Sequence, residues 1–63
     1  MNLNEDEIAV IKSILKTMSP DVWSQIKWFE IARHYAANSA IKPSEDDCYS
    51  FADKCTALGI GER

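Results

Sequence analysis

Sixty-three residues are enough for one domain, near the lower size at which a chain buries sufficient surface to fold unaided. Two cysteines are too few for a disulfide scaffold, no apolar run is long enough for a membrane span, and no secretory leader is visible, so the chain reads as a cytoplasmic protein with reduced thiols. The net charge of −3 comes without a basic run or an acidic tail.

The first helix is predicted over residues 5–18. Asn4 stands as N-cap with Glu7 three residues on, close to a capping box, and Leu3 before the cap is positioned to staple onto Ile8. Ile8, Ile11, Leu15 and Met18 give an apolar stripe widened by Ile14, with Lys12 and Lys16 toward solvent. Ser19-Pro20-Asp21 stops this helix and starts the next with a Ser cap, a proline where no amide is needed, and an acid behind it.

The second helix is predicted over residues 20–37, with a break near Trp23-Ser24 left open because Ser24 could act as a second cap. At about 100° per residue, Val22, Ile26, Phe29 and Ala36 form one stripe. Trp28, Ile31, Ala32 and Tyr35 form a second, while Lys27, Glu30 and His34 make a polar wedge. A helix apolar on two sides needs cover from two directions.

Ile41-Lys42-Pro43 reads as an extended connection, since the residue before proline is pushed out of the helical region, with Ile41 tucked under as a plug. Ser44 caps a third helix over residues 45–58, with Asp47 at its third position and Cys48, Phe51, Cys55 and Leu58 along one face. Gly59 suits a left-handed position with Ile60 reaching back toward Cys55, after which Gly61-Glu62-Arg63 is expected to fray. Glu5, Asp6, Glu7, Asp21, Glu45, Asp46 and Asp47 all fall in first turns, where they complement the helix dipole. The acidity is therefore largely structural.

The simplest assembly is all-α: a single-domain three-helix bundle over residues 1–63 with the central helix as shared core, associating as a homodimer to cover what two short neighbours leave open. The Val22, Ile26 and Phe29 stripe is expected inside. Trp28, Ile31 and Tyr35 are expected outside, rimmed by Lys27 and Arg33, with Trp23 at the bundle end or joining them. The competing reading makes all of these ordinary core of a monomer.

No residue constellation names a reaction. His34 follows Glu30 by four positions and reads as a solvated helix contact. Cys48 and Cys55, seven apart, lie roughly 10 Å from each other along a helix at about 1.5 Å per residue, too far for a bridge and unlike the close pairs of zinc modules. The expectation is a non-enzymatic protein with no catalytic residues, metal or cofactor. Nucleic-acid binding is the alternative, through Lys12, Lys16, Lys27, Arg33 and His34 on the first two helices, because the third helix is too acidic to approach phosphates.

With its stretch WSQIKWFEIARHY at Trp23–Tyr35 and the capped starts NEDE and PSEDD, the chain resembles in length and helical type the small all-helical proteins of the exo–xis region of lambdoid phages. That resemblance implies a non-enzymatic early bacteriophage protein that affects host physiology or the lysis-versus-lysogeny choice. Together with the residue pattern, it makes the expected function that of a protein-binding regulator or adaptor. Its expected partners are a second copy and a host or phage protein, with no membrane.

Overall fold

A computed structural model describes residues 2–62 and contains four helices: α1 (Glu5–Leu15), α2 (Pro20–Gln25), α3 (Trp28–Asn38) and α4 (Glu45–Ala57). The fold is all-α, and no described helix is long and apolar enough to cross a membrane. The single second helix expected from the sequence is two helices, so the three-helix arrangement becomes one of four.

Three of the four starts follow from local chemistry. At α1 the Glu7 N–H donates to Asn4 Oδ1 (2.8 Å) and the Asn4 N–H donates to Glu7 Oε1 (2.9 Å). The two groups thus satisfy each other's unpaired donors. Ser19 accepts from the Val22 N–H ahead of Pro20, and Ser44 forms a second capping box with Asp47. α4 ends as its glycine predicts. Gly59 sits at φ +85°, the Ile60 N–H donates to the Cys55 carbonyl (2.8 Å), and the Gly59 N–H donates to that of Thr56 (3.0 Å). These two bonds define a Schellman ending, and Ile60 packs against the core.

The start of α3 is different. Ile26 and Lys27 are extended, at ψ 152° and 150°, and Lys27 offers no side-chain cap. The C-terminal segment supplies one instead: the Trp28 N–H donates to the Glu62 carbonyl (2.8 Å), and the Glu62 N–H donates to the Ile26 carbonyl (2.8 Å). A Lys27–Glu62 ion pair (2.9 Å) lies outside this short parallel bridge. Gly61 makes the approach possible. It holds φ +93°, and a Cβ there would collide with the side chain of the buried Ile31. Gly61 and Glu62 are thus docked where fraying was expected, and Arg63 lies outside the described residues. The opened break also falls at Ile26-Lys27 rather than Trp23-Ser24, where the Ser24 hydroxyl donates to the Asp21 carbonyl.

α3 packs chiefly on α4, and α1 crosses α3. The core contains Val10, Ile11 and Ile14 of α1, Trp23 of α2, Ile31, Ala32 and Tyr35 of α3, and Cys48, Phe51, Ala52 and Cys55 of α4. Tyr35 and Phe51 stack at its centre, ring centroids 4.3 Å apart. The α4 face is the expected one apart from Leu58, which is exposed. On α1 the buried line runs through Glu7, Val10, Ile11 and Ile14, leaving Ile8 exposed and Leu15 and Met18 half-buried. Ile41 is exposed at 59%, so the connection before Pro43 carries no plug.

Glu7 is the one charged member of this interior among the described residues. Besides capping α1, its carboxylate accepts from Lys54 Nζ at 3.0 and 3.1 Å, tying the start of α1 to the end of α4. Asp6 beside it accepts from the Tyr35 hydroxyl (3.2 Å), the Ser39 hydroxyl (2.7 Å) and the Ala40 N–H (3.3 Å), anchoring the exit from α3.

Candidate protein-binding groove

Much of the two apolar stripes of the central segment exchanges the roles expected of it, although Ile26 packs against the core as expected. Ile31 and Tyr35, expected outside, are 0% and 4% exposed, whereas Val22 and Phe29, expected inside, are 52% and 46% exposed. The break at Ile26-Lys27 is the cause. Once α2 and α3 are separate, Val22 and Phe29 no longer share a helix face, and α3 turns its Ile31, Ala32 and Tyr35 side onto α4.

The remaining interface candidates are divided. Trp23 is 1% exposed and meets the His34 ring edge-on, centroids 5.4 Å apart, with an indole N–H that has no hydrogen-bond partner among the described residues. His34 is half-buried, with its ring against this indole. Lys27 is exposed but paired with Glu62. Trp28 is half-buried, stacked on Tyr49 at 4.8 Å and 7° between planes, and its indole N–H donates to Asp53 Oδ1 (2.9 Å). Of the six, Arg33 alone is both exposed and outside any ion pair among the described residues.

Arg33 lies on the rim of an open groove of about 350 Å³ between α3 and the first turns of α4. Phe29, Ala32, Arg33 and Ala36 form one wall; Pro43, Glu45, Cys48 and Tyr49 form the other. Phe29, Arg33 and Ala36 follow i, i+4, i+7 spacing along α3, and the Arg33 guanidinium carbon sits 5.4 Å from the Phe29 ring centroid. This is a cation–π contact on the exposed side of α3. Opposite them, the Trp28 stack holds Tyr49 in one orientation while leaving it 36% exposed. Two aromatic faces, small alanines and a held arginine form an apolar centre with a polar rim, the composition that protein contacts favour.

Burial, then Asp47 and Glu45, raise the Cys48 thiol that lines the groove above the usual cysteine range. Burial, reinforced by Glu7 and partly offset by Lys54, pushes Cys55 up to about 12. Both are free, buried thiols that pack as small apolar residues. Among the described residues no cluster of three or more His, Cys, Asp or Glu is placed to hold a metal ion. The Glu45–Asp47 run beside the groove would repel a phosphate backbone approaching this face.

What the sequence did not reveal was the exposure of Phe29 and the participation of Tyr49. No local signal marks the break at Ile26-Lys27, and Tyr49 lies off the main apolar stripe of α4. No protein family, no curated protein and no solved structure matches this chain.

Proposed function

We propose that this chain is a non-enzymatic regulator or adaptor that acts by binding protein through the α3–α4 groove, working as a cytoplasmic homodimer that also engages a host or phage protein. The observation that carries this reading is the ordered exposure of Phe29 and Tyr49 on either side of one apolar groove, with Arg33 held against Phe29. The likeness in length and helical type to the small exo–xis proteins of lambdoid phages supports an early role directed at the host or at the lysis-versus-lysogeny choice.

Phe29→Asp tests the surface without endangering the fold. Residue 29 is the second position of α3, where a carboxylate is favoured by the helix dipole, and the half-exposed ring is no part of the core. The variant is expected to keep its thermal unfolding midpoint within a few degrees while its self-association, measured by sedimentation equilibrium, weakens at least about tenfold. An unchanged association constant in a folded variant would remove the groove from the interaction.

A further inference from the structure

We infer that the occupant of the α3–α4 groove is the same groove of a second copy, related by a two-fold axis, with Arg33 of each copy pairing with Glu45 of the other. This assignment rests on the protein-binding reading of the groove and names its partner and register. The charge arrangement of the groove leads to it.

The groove carries opposite charges on opposite walls. Arg33 rises from α3 and Glu45 from the first turn of α4, and neither has an ion-pair partner among the described residues, although both line the same 350 Å³ space. A two-fold contact places one patch against itself, so a patch of one sign would repel its own copy. A patch with one positive and one negative wall attracts it, and each rotation brings two complementary pairs.

The expected product is a concentration-dependent dimer, not an obligate one. Helical caps and the core are complete within one chain, so each copy folds before pairing.

Charge reversal separates this pairing from other uses of the groove. Arg33→Glu and Glu45→Arg change exposed side chains, and although Glu45 is the first residue of α4, the capping box beside it is made by Ser44 and Asp47. Each alone sets like charges together twice per dimer and is expected to weaken dimerisation, read by sedimentation equilibrium at low salt, at least about tenfold. The double variant Arg33→Glu/Glu45→Arg is expected to recover the wild-type constant to within about threefold. Arg33→Gln and Glu45→Gln, milder at the start of α4, serve as a second pair should either reversal disturb folding. Each is expected to weaken association less than its reversal does. A wild-type dimer indifferent to both reversals, or reversals that weaken it without recovery in the double variant, would overturn the pairing while leaving self-association standing. A wild-type chain monomeric at all concentrations would overturn both.

Discussion

Phe51→Ala is expected to leave most of the chain unfolded at room temperature, through a loss of about 3–5 kcal/mol. Phe51 is 0% exposed, stacks on Tyr35 across the α3–α4 contact, and is among the largest fully buried side chains. At about 0.05–0.15 kcal/mol per residue, a chain of 63 residues has a total stability of roughly 3–9 kcal/mol, so this one cavity removes a large part of it or all. Urea denaturation followed by far-ultraviolet circular dichroism reads the loss directly. A folded variant with its midpoint little changed would mean that the α3–α4 stack is not the centre of the core.

Lys54→Ala is expected to cost about 2–4 kcal/mol, more than an exposed lysine ordinarily contributes. The reason lies in what remains. The Glu7 side chain is 4% exposed, and without the ammonium its carboxylate keeps only the Asn4 N–H as a partner among the described residues. Lys54 itself is 26% exposed, which keeps the figure below that of a fully buried pair. Glu7→Gln, which removes the charge but retains an acceptor for Asn4, is expected to cost less. Lys27→Ala is the internal control: its pair with Glu62 is 57% and 55% exposed, so its loss is expected to stay within about 0.5 kcal/mol. Chemical denaturation of the three variants checks the order, and equal effects of Lys54→Ala and Lys27→Ala would contradict it.

The parts of this fold visible in the sequence are those made by neighbours along the chain. Asn4 with Glu7, Ser19 with Pro20, Ser44 with Asp47, and Gly59 with Ile60 each place both partners within a few residues, and each is found in the structure. The α4 face was equally legible because one uninterrupted helix keeps its period. What escaped was the division of the central segment, which is made by a contact between residues far apart. Nothing at Ile26 or Lys27 is a helix breaker, and the carbonyl that caps α3 belongs to Glu62. That carbonyl reaches α3 because Gly61 passes against Ile31 without a side chain.

One missed break was enough to invert the surface. With a continuous helix, Phe29 must follow Val22 and Ile26 to the inside, and Trp28, Ile31 and Tyr35 are left over. With the break, the second stripe meets α4, and Phe29 with Ala36 becomes the side without cover. The excess of apolar groups noted in the sequence was therefore real, and its unburied part lies on the other face of α3. Arg33, four residues after Phe29 and three before Ala36, lies on that uncovered side with them.

The claim that this exposed face is where copies of the protein meet is tested most directly by recording amide ¹H–¹⁵N spectra of the wild-type chain over a dilution series. Shifts that move with concentration are expected at Phe29, Arg33 and Ala36 of α3 and at Glu45 and Tyr49 of α4. Ile8 of α1 and Leu58 after α4, which are also exposed, are expected to stay unchanged. Spectra independent of concentration, or changes centred on Ile8 or Leu58 with the groove residues still, would contradict it.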